Sequence, residues 1–218
     1  MKKIEFIKPV YNLNELPKEN LPTVVLCGRS NVGKSSFVNS LFNTEMTKTS
    51  SSPGKTRSIN YYLVEKKFFL VDLPGFGYAK VSKSERDAWQ LLIEKYFSMN
   101  SNIKLAIHIS DSRHDPMQLD IELNNFLRTK EIPYFLLMNK SDKLKQSELA
   151  SAKKRVVQFF PEIIPGENML FYSTIKGTGK KEIIKHLTSL FLIWKYLKSF
   201  LLLNWKLTAF QLLTNNST

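Results

Sequence analysis

The chain predicts an α/β fold in three layers: a mostly parallel sheet with one antiparallel strand, and helices on both faces. Three observations predict it. Short apolar runs alternate with segments of helical period from residue 23 onward. Each suspicious loop directly follows one of those runs, where sheets of this kind bind ligands. The composition is also globular, with 43% hydrophobic and 23% charged residues among 218, enough for one domain and a short appendage.

Taken in order, Thr23-Val24-Val25-Leu26-Cys27 lies between Pro22 and Gly28 and reads as a buried strand. Gly28 to Ser35 is a loop, and from Ser36 the residues Phe37, Val38, Leu41 and Phe42 recur at helical spacing. Residues 43–57 are rich in Thr, Ser and Lys with Pro53-Gly54, the pattern of a long loop. Residues 59–64 and 68–71, separated by Glu65-Lys66-Lys67, form an antiparallel strand pair. Residues 84–98 are a helix with Ser84 as N-cap and Trp89, Leu92, Ile93, Tyr96 and Phe97 on one face. Strands follow at 103–110, 133–138 and 169–172, helices at 117–129, 147–160 and from Lys180 onward. Glu5 and Lys8 break the apolar character of the opening, so it does not read as a signal peptide. No stretch of 18 uncharged apolar residues occurs.

The chemistry sits in the loops. Gly28-Arg29-Ser30-Asn31-Val32-Gly33-Lys34-Ser35 fits GxxxxGK[ST] between a strand and a helix. Its backbone N–H groups can wrap phosphates, with Lys34 reaching the β- and γ-phosphates and the Ser35 hydroxyl meeting Mg²⁺. Asp72-Leu73-Pro74-Gly75 fits DxxG, with Asp72 toward Mg²⁺ and the Gly75 N–H toward the γ-phosphate. Asn139-Lys140-Ser141-Asp142 fits NKxD. The Asp142 carboxylate can accept from the guanine ring N–H and exocyclic amine, whereas adenine would leave it unpaired, which argues against ATP. Asn139 would tie this loop to the phosphate loop, and the Lys140 stem would pack over the base. Tyr172-Ser173-Thr174 is a fifth element, offering a backbone N–H near Thr174 to the guanine carbonyl. Among Thr44, Thr47, Thr49 and Thr56, only Thr56 follows Pro-Gly-Lys immediately before a strand, where a loop closing on γ-phosphate should end. The other three read as solvated loop residues.

GRSNVGKSS, SSPGKTRSINYYLV, FLVDLPGFGYAKVSK and DSRHDP at 111–116 together resemble the EngB/YsxC group of ribosome-biogenesis GTPases, over about residues 4–190. The resemblance implies a P-loop GTPase domain that depends on Mg²⁺, binds GTP and GDP, and aids assembly of the large ribosomal subunit in the cytoplasm. Its partner would be a precursor of rRNA and ribosomal proteins, not DNA, with a role in cell division and septation. Motifs and resemblance together assign nucleotide contacts to Gly28 through Ser35, to Gly54, Lys55, Thr56, Arg57 and Ser58, to Asp72 through Gly75, to Asn139 through Asp142, and to Tyr172, Ser173 and Thr174. Lys34, Thr56 and Gly75 carry the catalytic roles; Ser35, Thr56 and Asp72 carry the metal. Asn31 reads as a turn residue, although in related GTPases an asparagine here helps to hold K⁺. Phe76 stands where many hydrolases place a water-orienting glutamine, and a phenyl ring cannot orient water, so slow intrinsic turnover is expected.

Charge points the same way. The chain holds 32 Lys and Arg against 19 Asp and Glu, a formal +13, and residues 143–218 carry twelve bases against four acids. A field of one sign favours a polyanionic partner. The single cysteine, Cys27, rules out an intramolecular disulfide. Asp111, Arg113, His114 and Asp115 read as local pairing and capping before the helix, with Asp115 or a neighbour as the cap. Residues 1–195 are assigned to the G domain and 196–218 to a C-terminal extension, basic and rich in aromatics. That extension reads as a lengthened last helix folded over the sheet or a tail without selected function, or else as a segment that docks on rRNA or on a second copy or lies on an anionic membrane surface; the last would suit a rival reading as a septum-associated switch with a protein effector.

Overall fold

The structure, a computed structural model, describes residues 3–47, 58–75 and 83–192. The segment 48–57, which holds Gly54, Lys55, Thr56 and Arg57, lies outside the described residues, as do Phe76 and the tail from 193. The chain divides into two compact units, Met1–Lys180 and Lys181–Thr218. In the second unit, the described residues 181–192 are helical.

The first unit is built on seven strands: β1 (Ile4–Val10), β2 (Thr23–Cys27), β3 (Ile59–Val64), β4 (Phe68–Asp72), β5 (Ile103–Asp111), β6 (Tyr134–Asn139) and β7 (Met169–Phe171). They lie in the order β1-β3-β4-β2-β5-β6-β7. β3 runs antiparallel to both of its neighbours, and every other pairing is parallel. The expected sheet, with one strand against the rest, is the observed one.

Strand parity sorts the core into layers. Val25 and Cys27 of β2, Val71 of β4 and Ala106 of β5 share a cluster with Ile93, Tyr96 and Phe97 of α2 (Lys83–Met99) and with Leu123 and Leu127 of α3 (Gln118–Thr129). Leu136 and Met138 of β6 meet Val156 of α4 (Gln146–Phe159). The alternate β2 residues Val24 and Leu26 are fully buried and point to the opposite face. α1 (Lys34–Phe42) buries Phe37, Val38 and Leu41, and its Phe37 ring meets Tyr172 edge-on at 5.1 Å. Each fully buried Leu, Ile or Phe contributes about 1.5–3 kcal/mol of burial energy. Cys27 is one of these buried side chains, and burial pushes its thiol pKa up to about 12 against the pull of Lys34.

Several boundaries differ from the sequence expectation. α1 starts at Lys34, two residues before the expected Ser36, because the polar Lys34 and Ser35 of its first turn add nothing to the apolar period. Ser84 lies inside α2, which begins at Lys83, so it is not the N-cap. α3 begins at Gln118, and the acid that caps it is Asp120, whose Oδ2 accepts from the Met117 N–H at 3.0 Å. Asp115 instead pairs with Arg155 of α4. β1 was not expected at all. A register shift between Phe6 and Lys8 breaks its alternation, and Pro9 interrupts it again, so the strand is hidden from a period-two search.

Candidate functional site

The loops that follow β2, β4, β6 and β7 converge at the carboxyl ends of the strands. Gly33 caps α1 with φ 102°, and a Cβ there would collide with Asn139 Nδ2, so only glycine fits. That amide donates to Val32 O at 2.8 Å and joins the two loops as the NKxD pattern predicts. Lys140 Nζ adds a second tie by donating to Asn31 O at 2.7 Å. Asn31 and Lys140 both sit in the left-handed region, each with φ 64°. Asn tolerates that conformation well, which fits its reading as a turn residue.

Lys34 is buried and donates to Gly28 O at 2.9 Å and Arg29 O at 3.1 Å. Ser35 Oγ donates to Asp72 Oδ2 at 2.9 Å. Burial lowers the Lys34 pKa and raises that of Asp72, while the attraction between the two opposes both shifts. Asp72 Oδ1 is buried and finds no hydrogen-bond partner among the described residues. A hydroxyl beside a buried carboxylate with a spare oxygen is a hard-oxygen donor set, and it fits Mg²⁺. Gly75 lies close against the phosphate loop: a Cβ on it would stand 2.7 Å from Lys34 Nζ and 2.8 Å from Ser30 Cα.

At the base end, Asp142 accepts from Ser173 Oγ at 2.7 Å. The same hydroxyl oxygen accepts from the N–H groups of Lys176 at 2.9 Å and Ile175 at 3.3 Å, so its proton is committed to Asp142. This bond, more than the smaller opposing effect of burial, holds the Asp142 pKa below its ordinary value. Ser141 gives its N–H and hydroxyl to Tyr172 O at 3.0 and 2.9 Å, which locks the fourth loop to the fifth. A cavity of about 700 Å³ is walled by Thr174 to Gly177 of that fifth loop and by Ser36, Asn39 and Ser40 of α1.

The geometry is that of a nucleotide site, and relatives decide its kind. A family described as 50S ribosome-binding GTPase matches residues 23–140. The probable GTP-binding protein EngB of Chlorobium luteolum is 44% identical over 182 residues, covering 83% of this chain and 86% of that protein. The chain belongs to the EngB family of GTPases. A second EngB, from Thermoanaerobacter pseudethanolicus, is 38% identical and covers 84% of this chain and 95% of its own. The crystal structure of a probable GTP-binding protein engB shares the fold at TM-score 0.66 and 24% identity, covering 78% of this chain and 98% of that one. As an EngB-family protein the chain binds guanine nucleotides and hydrolyses GTP.

Within this EngB-family frame, the structure adds three residues to which the sequence reading gave no part in the site. Thr47 is not a solvated loop residue: it is buried, donates through Oγ1 to Ser35 O at 2.8 Å, and exchanges two 2.9 Å bonds with the Asn39 side chain. Asp120 is fully buried and accepts from Arg29 Nη1 of the phosphate loop at 3.1 Å, with His108 Nε2 at 3.6 Å from its other oxygen. Its spacing of three from Met117, that of an acid in a capping box, was the available signal. Asp111 Oδ2 accepts from Lys140 Nζ at 2.9 Å. Ser58, by contrast, spends its hydroxyl on Asn60.

Proposed function

We propose that the chain is a guanine-nucleotide switch in assembly of the large ribosomal subunit, acting in the cytoplasm and needed for normal division and septation. The observation that carries the switch is the pairing of a braced base loop with a phosphate loop that is closed on itself. GTP would take Lys34 away from Gly28 O and Arg29 O onto its β- and γ-phosphates, and the loop N–H groups would turn to the phosphate oxygens. Gly75 would have to yield its place against Ser30 and Lys34, carrying the segment behind it. Ser35 and Asp72, joined by Thr56, would hold Mg²⁺, which when bound neutralises phosphate charge. Asp142 would read guanine and the Lys140 stem would cover it. The side chain at position 76 offers no group to orient water, so turnover without a partner is slow. A K⁺ ion beside Asn31 belongs to the same proposal, and equal rates in potassium and sodium buffers would remove it.

The ribosomal partner is supported by the family description and by the excess of base in residues 143–218. Among the described residues no helix is long and apolar enough to cross a membrane. Sucrose-gradient profiles after depletion test the reading: large-subunit precursors should accumulate. The protein should also co-sediment with them when loaded with a non-hydrolysable GTP analogue, and detach steeply as salt rises. Normal gradients together with no co-sedimentation would overturn it.

A further inference from the structure

The DSRHDP segment enters neither the phosphate loop nor the base loop, yet its first residue makes the densest set of polar contacts near the site. Asp111 ends β5, and β6 beside it ends at Asn139, with the Ser112 N–H donating to Asn139 O at 2.9 Å. Asp111 Oδ2 accepts from Lys140 Nζ at 2.9 Å and from Arg113 Nη2 at 2.7 Å. Oδ1 accepts from Arg113 Nε at 2.9 Å and from the Arg113 N–H at 3.1 Å. Four donors use about all the lone pairs that a carboxylate has. Partial burial pushes this carboxyl pKa up, but the bonds from Arg113 and Lys140 outweigh it and hold the group ionised far below the ordinary range. Arg113 is in turn held protonated chiefly by its bonds to Asp111, with a smaller contribution from the charge of Asp142. A chain of alternating charge therefore runs from Lys140 through Asp111 and Arg113 to the carboxylate at the base end.

We propose that Asp111 is a positioning residue for guanine recognition, holding the Lys140 ammonium so that the lysine stem lies across the base and the base loop stays joined to the phosphate loop at Asn31. The inference rests on the reading of residues 139–142 as the base loop. Lys140 has four rotatable bonds, and a free ammonium would sample many of their rotamers. Asp111 and Asn31 O fix its end from two sides, so the ammonium is held in place before any ligand arrives. Arg113 in its bidentate fork fixes Asp111 in turn.

The test is a binding cycle with fluorescent GDP and ADP on the full chain. Asp111→Asn keeps the shape and removes the charge, and should weaken GDP binding about tenfold, the size of one lost charge-assisted bond. kcat at saturating GTP should stay within about twofold, because the phosphate contacts are untouched. In a Lys140→Met background, which keeps the stem and lacks the ammonium, Asp111→Asn should cost nothing more. Equal GDP affinity for wild type and Asp111→Asn would overturn the proposal, as would an undiminished loss in the Lys140→Met background. If Asp111→Asn does not fold, Arg113→Gln on a half-exposed side chain replaces it. It should weaken GDP binding about threefold with an unchanged Tm, and unaltered affinity would sink the proposal. Wild type that binds ADP as well as GDP would instead overturn the base-loop reading, a result distinct from either of these.

Discussion

The two ends of the site are built differently. At the base end, the bonds are ones that a bound nucleotide could leave in place: Ser173 to Asp142, Ser141 to Tyr172 O, and Lys140 to Asp111 and Asn31 O. At the phosphate end, the bonds use the very groups that a nucleotide would need, with Lys34 donating to loop carbonyls and Ser35 to Asp72. Recognition is therefore prepared in advance, and charge neutralisation has to be exchanged on arrival. A ligand that gains little from reorganising the phosphate end should still be selected by its base.

The largest effect expected comes from the end that must rearrange. Lys34→Ala should cut GTP affinity more than about a hundredfold and abolish hydrolysis, because among the described residues no other Lys or Arg is buried. Calorimetry with GTP and GDP checks it, and a mutant that keeps wild-type affinity for both would break the comparison. Asp142→Asn comes next. It should lower GTP affinity by about a hundredfold and favour xanthosine triphosphate, whose carbonyl oxygen in place of the guanine amine can accept from the new amide. Unchanged preference would show that the base end is not braced for guanine.

Asp120→Asn tests whether the phosphate loop has a fixed root. Burial pushes the Asp120 pKa up, but the contacts with His108, the Met117 N–H and Arg29 outweigh it and hold the carboxyl below its ordinary value of 3.8. A group lowered on folding contributes its stability above the unfolded value and loses it as pH falls through the folded one. Wild type should therefore lose stability more steeply than Asp120→Asn below about pH 4, with a cost to the variant of about 2–3 kcal/mol at pH 7. Parallel urea titrations at pH 3 and pH 7 decide it, and identical pH dependence would contradict the assignment. The smallest effect is reserved for Thr47→Val, which should cost about 1 kcal/mol through loss of the hydroxyl bond to Ser35 O. The same titrations at pH 7 measure it.

How much of this was legible depended on whether a residue's role is local. Gly33 and Lys34 announce themselves because the turn and helix start they serve are written within eight residues. β2 and β6 are legible because both faces are buried and nearly every residue is apolar, and in β5 the apolar Ile103, Leu105, Ala106, Ile107 and Ile109 carry the signal. β1 was illegible because its partner β3 lies about fifty residues on, and the bulge removes the period that would have marked it. Thr47 and Thr44 look alike in sequence. Only the fold puts one against Asn39 and Ser35, and leaves the other to accept from the Met46 N–H. Asp115 and Asp120 were likewise exchanged, since an acid at the third helical position can cap as well as one at the start.

Cys27 gives the molecule a practical property. Alkylating reagents attack the thiolate, and a buried thiol with a pKa near 12 offers almost none of it at neutral pH. Because the chain contains one cysteine, it is in effect a scaffold without a reactive thiol. A dye attached through Ile175→Cys, at a side chain that is 75% exposed on the wall of the cavity, would therefore report nucleotide arrival from one known position, with Cys27 left in place.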